Sequence, residues 1–88
     1  MNKIDIDIYC APNCNRCGRA VSLVKRVLED MQDNNIQYQK INVVDEIEAA
    51  VAIGVRATPA IVINGKLEFA ATPNEQALVE KIVQELKR

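Results

Sequence analysis

Residues 4–9 read Ile-Asp-Ile-Asp-Ile-Tyr, a strict alternation, and from about residue 14 the apolar positions recur instead at steps of three and four, through Cys17, Ala20, Val21, Val24, Val27, Leu28 and Met31. A period of two puts Ile4, Ile6 and Ile8 on one face of a strand; a period near 3.6 puts the later set on one stripe of a helix. The chain must therefore run strand, short turn, helix, with the helix ending near Asp33 to Asn35. All three cysteines, Cys10, Cys14 and Cys17, fall at that junction.

The remainder continues the same kind of punctuation. Residues 36–43 alternate again and predict a second strand, which a βαβ crossover of this length returns parallel to the first. Asp45 followed by Glu48 has the spacing of a capping box, Ile47, Ala50 and Val51 supply a short apolar face, and Gly54 supplies the stop, so a brief second helix is expected. Residues 60–63 form a compact β-rich run, Asn64-Gly65 is a type I′ hairpin signal, and residues 66–71 read as the returning antiparallel strand. Thr72-Pro73-Asn74-Glu75 then offers a capping hydroxyl, a first-turn proline and a third-position Glu ahead of Leu78, Val79, Ile82, Val83 and Leu86. The expected architecture is α/β, in the order β-α-β-α-β-β-α, with one four-stranded mixed sheet flanked by helices and residues 1–88 forming a single domain. Asp5 and Asp7 point away from the isoleucine face, so the opposite face of the sheet is expected to be thinly covered near the start of the first strand.

Composition excludes several functions. Eleven basic and twelve acidic residues leave a net charge of −1, which offers no field for phosphate backbones or anionic lipid, so nucleic acid and membrane are not expected partners. No apolar run approaches the ~20 residues of a membrane helix, and the charged, alternating N-terminus is unlike a signal peptide, which makes a cytoplasmic location the expectation. There is no histidine, so imidazole bases, His-containing triads and His metal ligands are all absent. An odd number of cysteines packed into eight positions is a local site rather than a disulfide framework spread along a secreted chain.

Cys14-Asn15-Arg16-Cys17 is a C-x-x-C at the start of a helix. Two intervening residues over a first turn bring the sulfurs within reach of each other, and the unpaired N–H groups of the helix N-terminus favour a thiolate. Cys14 is expected to be the exposed, more acidic nucleophile, and Cys17, on the apolar stripe, the shielded resolving thiol. Between residues 10 and 28 there are four cations, Arg16, Arg19, Lys25 and Arg26, and no carboxylate; Arg16, inside the motif, is the one placed to tune Cys14, whereas Lys25 and Arg26 lie further along and are expected to be solvated. The alternative is a metal-binding or metal-delivery module, because Cys10, Cys14 and Cys17 supply three thiolates, although a fourth zinc ligand would have to be a carboxylate or come from another chain. Cys10 is either a semi-buried thiol closing the first strand or a third participating thiol.

Two stretches resemble a known superfamily. Ile8-Tyr9-Cys10-Ala11-Pro12-Asn13-Cys14-Asn15-Arg16-Cys17 is similar to the glutaredoxin opening, hydrophobic-Tyr-x-x-Pro-x-Cys-x-x-Cys, and residues 54–65, Gly-Val-Arg-Ala-Thr-Pro-Ala-Ile-Val-Ile-Asn-Gly, resemble the cis-proline segment of thioredoxins. The match, which spans nearly the whole chain, is to small thioredoxin-like and glutaredoxin-like redox-active disulfide proteins of archaea and bacteria. It implies a thioredoxin fold, with Pro59 after a cis peptide facing the cysteine pair and the Thr58 backbone offering hydrogen bonds to a substrate chain. Taken alone, a Thr-Pro step ahead of a strand reads only as a turn with a trans bond. The chain departs from the pattern in three places: Asn13 stands where thioredoxins usually carry an aromatic residue, Asn15-Arg16 replaces Gly-Pro, and Ile8 occupies the position of a buried acid. No Gly-Gly and acidic residue follow the hairpin as in glutaredoxins, so exchange with a protein dithiol is expected rather than direct use of glutathione. The expected activity is a cofactor-free dithiol/disulfide oxidoreductase, acting as a monomer on protein disulfides and reduced by a reductase or dithiol donor.

Overall fold

The computed structural model describes residues 3–87. Its elements are β1 (Ile4–Cys10), α1 (Asn15–Met31), β2 (Ile36–Asn42), α2 (Ile47–Ile53), β3 (Ala60–Ile63), β4 (Lys66–Phe69) and α3 (Glu75–Leu86), the order β-α-β-α-β-β-α. The sheet runs β2-β1-β3-β4. β1 pairs in parallel with β2, from Ile4 opposite Ile36 to Cys10 opposite Asn42, and antiparallel with β3. β3 and β4 are antiparallel, with an irregularity at Ile61/Val62.

Because β1 is hydrogen-bonded on both edges, its alternation divides the interior in two. Ile4, Ile6, Ile8 and Cys10 face one layer with Ala20, Leu23, Val24 and Val27 of α1, Leu78 and Ile82 of α3, and Ile61 and Ile63 of β3. Tyr9 faces the other layer with Ala50 of α2, Ala60 and Val62. The second layer is short. Asp5, Gln37 and Gln39 line an open polar depression at the start of the sheet, with the Gln39 side-chain amide donating to Asp7 at 2.9 Å. This is the thinly covered face expected from Asp5 and Asp7.

Element ends differ from the sequence reading where local hydrogen bonds decide them. α1 stops at Met31, because Gln32 turns left-handed (φ 52°) and its N–H closes on the Leu28 carbonyl. Leu23, absent from the predicted stripe, is buried beside Val24. The capping box at Asp45 does not form: Glu46, not Asp45, stands at the cap position of α2, and it makes no side-chain cap hydrogen bond. Gly54 does end α2, at φ 101°. In the hairpin Asn64 and Gly65 both have positive φ, as a type I′ turn requires. Asn64 also ties the turn to β1, accepting from the Asp5 N–H through Oδ1 at 2.8 Å and donating its own N–H to the Asp5 carbonyl at 2.8 Å. β4 ends at Phe69, two residues before the predicted boundary.

α3 is capped by Asn74 rather than Thr72: Asn74 Oδ1 accepts from the Ala77 N–H at 2.7 Å. Glu75 thereby becomes the first helical residue and pairs with Arg26 of α1 at 2.7 Å, so Arg26 is partnered rather than merely solvated. Asn74→Ala is therefore expected to lower stability by about 1 kcal/mol. Thr72→Ala, outside the helix, should cost less than about 0.5 kcal/mol. Urea midpoints at constant m check the pair, and the reverse ranking would restore Thr72 as the cap.

Candidate active site

β1 delivers the chain to the site, and its last residue, Cys10, is only 1 % exposed. Between Cys10 and α1 the backbone turns through Asn13, which is left-handed at φ 61°, a conformation asparagine tolerates better than most residues. Cys14 follows in extended conformation as the N-cap of α1. It is half-buried, whereas Cys17, one turn on, is 3 % exposed and belongs to the core stripe.

All three cysteines are free. Cys17 Sγ donates to Cys14 Sγ at 2.6 Å, longer than a covalent disulfide of about 2.05 Å. The Thr58 hydroxyl donates toward Cys14 Sγ from the other side, at 3.8 Å. The Thr58–Pro59 peptide is cis, and Pro59 is fully buried. The fold thus brings Cys14, Cys17 and Thr58 together although 44 residues separate the first from the last.

These contacts set the acidities. The hydrogen bond from Cys17 holds the Cys14 thiol below its ordinary range; burial opposes it, and the Thr58 hydroxyl and the backbone N–H groups of Cys17 and Arg16 reinforce it. Arg16 thus reaches Cys14 through its main chain, and its side chain is exposed. Cys10 is pushed the opposite way, up to about 12, first by burial and then by the neighbouring Cys17, with Lys40 opposing. Cys10, Cys14, Cys17, Lys40 and Asn42 line one cavity of about 310 Å³ beside the start of α1. Lys40 and Asn42 were not among the residues the sequence singled out; the signal that finds them is strand register, since Lys40 lies opposite Ile8 and Asn42 opposite Cys10. The Thr58 side chain was also missed, because the resemblance implied only a role for its backbone. Among the described residues no group of three His, Cys, Asp or Glu side chains is arranged to hold a metal ion.

A mixed sheet that carries a thiol pair to a helix N-terminus, beside a segment with a cis-proline, defines a thioredoxin-fold protein. The Thioredoxin domain family matches residues 4–84. The chain is 37 % identical over 86 residues to a thioredoxin of Methanocaldococcus jannaschii, covering 98 % of this chain and 100 % of the relative. It is 31 % identical over 84 residues to a probable thioredoxin of Methanothermobacter thermautotrophicus, covering 96 % and 98 %. Among solved structures, a mutant thioredoxin from Halobacterium salinarum superposes with a TM-score of 0.77 at 24 % identity, over 96 % of this chain and 75 % of that one. Fasciola hepatica thioredoxin superposes with a TM-score of 0.75, also at 24 % identity, over 96 % and 82 %. The chain belongs to the thioredoxin family, whose general chemistry is protein disulfide oxidoreduction.

The two opposed shifts have separate pH signatures. Cys14 alkylation by iodoacetamide is expected to show a pH midpoint below the 9.0 of an ordinary cysteine thiol. Thr58→Ala should move that midpoint upward, and an unchanged midpoint would remove the hydroxyl from the account. For Cys10 the folded pKa lies near 12 against an ordinary 9.0. Between these values the unfolded chain has lost a proton that the folded chain keeps, so stability falls as pH rises through that window. Tyr9, buried and near Asp7 and Glu46, is also raised above its ordinary 10.0 and adds a loss of the same sign. Cys10→Val is expected to lessen the fall in the urea midpoint between about pH 9 and about pH 11, leaving the Tyr9 part.

Proposed function

We propose that the chain works as a single thioredoxin-like domain that reduces protein disulfides through Cys14 and Cys17. The observation that carries this reading is the direct Cys17-to-Cys14 sulfur hydrogen bond at a helix N-terminus, with one sulfur half-buried and the other in the core. A lone thiol at a helix start could be a filler; two sulfurs in contact with opposite accessibility divide the work of exchange between them.

In the first step the Cys14 thiolate attacks one sulfur of a substrate disulfide. A Cys14–substrate mixed disulfide forms, and the other substrate sulfur leaves as a thiolate that takes up a proton. Cys17 then loses its proton and attacks Cys14 Sγ; the Cys14–Cys17 disulfide forms and the second substrate thiolate departs. The substrate has gained two electrons and the protein has lost two. A reductase or dithiol donor restores the pair by the reverse exchange. Thr58 borders Cys14 and Pro59 follows it, and in this reading the backbone of Thr58 receives the substrate chain in β fashion. No cofactor enters either step. Among the described residues no helix is long and apolar enough to cross a membrane, and the reading places the protein in the cytoplasm as a monomer.

Turnover of a disulfide-bonded protein with dithiothreitol as donor tests the assignment. Cys14→Ser is expected to abolish it, whereas Cys17→Ser should accumulate a mixed disulfide recoverable by mass. Ordinary turnover by Cys14→Ser would sink the proposal.

A further inference from the structure

Four exposed cations, Arg16, Arg19, Lys40 and Arg56, stand around the cysteine pair, and none of them forms an ion pair among the described residues. Arg16 lies inside the motif and Arg19 one turn further along α1. Arg56 is two residues ahead of Thr58, whose hydroxyl reaches toward Cys14. Lys40 comes from β2, opposite Ile8. The side-chain hydrogen bonds to the Cys14 sulfur come from Cys17 and Thr58, so the exchange described above uses none of these four side chains.

Two depressions place two of the charges on either side of the pair. Among the described residues Lys40 is the one charged side chain lining the cavity of about 310 Å³ beside Cys14. A second depression, of about 640 Å³, opens between α1 and the start of α3; its Glu75 is bound to Arg26 at 2.7 Å, which leaves Arg19 uncompensated. Asn15 and Gly18 line both, so the two adjoin across the first turn of α1, which Cys14 caps. Residues 8–28 and 49–67 contain no carboxylate. Asp45 and Glu46, the first carboxylates after Lys40, lead into α2, which packs with Tyr9 on the other side of the sheet.

We infer that the substrates are disulfides carried on acidic protein segments, with Lys40 receiving a carboxylate on one side of the attacked sulfur and Arg19 a carboxylate on the other. This deepens the reading of Cys14 as the attacking thiol and rests on it. Arg16 and Arg56, exposed in front of the pair, favour the same charge on the partner. A single exposed ion pair contributes little. Several cations on one face, with carboxylates absent or already paired, act together, and they repel a basic segment as well as attracting an acidic one; complementarity of this kind gives specificity more than raw affinity. The chain as a whole carries a net charge of −1, so an acidic partner gains nothing at long range. The selection operates at contact, within the Debye length of about 10 Å at 0.1 M salt.

The test uses the reduced full-length protein and three short peptides, each closed by one disulfide and identical except that both residues flanking one cysteine are Glu, Ser or Lys. Each peptide gains two electrons as Cys14 and Cys17 lose two, and the reduced peptide is counted by mass after an acid quench. Dividing each rate by that of the same peptide with 2-mercaptoethanol, under the same conditions, removes the effect of the flanking charges on the disulfide itself. At an ionic strength of about 20 mM the corrected Glu-to-Lys rate ratio is expected to be about tenfold, and to fall toward unity at about 0.5 M. Lys40→Gln combined with Arg19→Gln should remove most of that ratio, whereas Lys25→Gln, further along α1, should keep it. A ratio near unity at low salt would overturn the inference, as would an equal loss in Lys25→Gln, which would make the effect one of overall charge. Failure to reduce even the Ser peptide, or its ordinary reduction by Cys14→Ser, would remove the exchange itself, and is told apart because it does not depend on the charge of the peptide.

Discussion

The structure depends on β1 being an inner strand, flanked by β2 and β3. Paired in parallel with β2 and antiparallel with β3, it cannot slip by one residue without exchanging Ile4, Ile6 and Ile8 for Asp5 and Asp7 in the main core. Such a slip would bury two carboxylates against Val24, Leu78 and Ile82. The register is therefore fixed by the alternation itself, and the end of β1 is fixed with it. That end is where the candidate site begins: Cys10 closes the strand facing α1, three residues turn the chain, and Cys14 meets the first free N–H groups of the helix.

From this placement the different environments of three chemically identical side chains follow. Cys10 is held by a strand inside the core, Cys17 by the buried stripe of α1, and Cys14 by the helix cap at the rim. Burial disfavours a thiolate at Cys10, while donors favour one at Cys14. The separation needs no metal ion, histidine or carboxylate beside the sulfurs. Position along one strand–turn–helix junction, with Thr58 arriving from just ahead of β3, is enough to favour a thiolate at one sulfur and disfavour it at another.

Periodicity made most of the fold legible in the sequence. The alternation of β1, the stripe of α1, the Asn64-Gly65 turn and the Gly54 stop each state a local requirement that the tertiary structure did not override. Helix starts were less legible because several residues in each window can cap. Thr72 and Asn74 both carry a suitable oxygen, and only the path of residues 70–74 decides that Asn74 is the one beside the first turn; at α2, Glu46 stands at the cap position, which leaves Asp45 one residue short of it. At the site, the cysteine spacing was visible, as was the relation to Thr58 and Pro59 through resemblance. The Thr58 hydroxyl, Lys40 and Asn42 were not, since their proximity to sulfur arises from strand register and loop packing rather than from any local pattern.

The absence of histidine gives the cysteine cluster its wider meaning. In a site with an imidazole, a group titrating near neutrality can take and return protons, and a sulfur needs only to be near it. Here the groups acting on the Cys14 sulfur are a hydroxyl, two backbone amides and the Cys17 thiol. None of these accepts a proton readily at neutral pH; they act by donating hydrogen bonds to charge that has already formed. Protons released or consumed during exchange must then pass to water or to the substrate's own thiolates. The half-exposure of Cys14 gives its sulfur direct access to water, whereas Cys17 lies where water is scarce. In the proposed exchange the step that most needs help from the protein is consequently resolution rather than first attack.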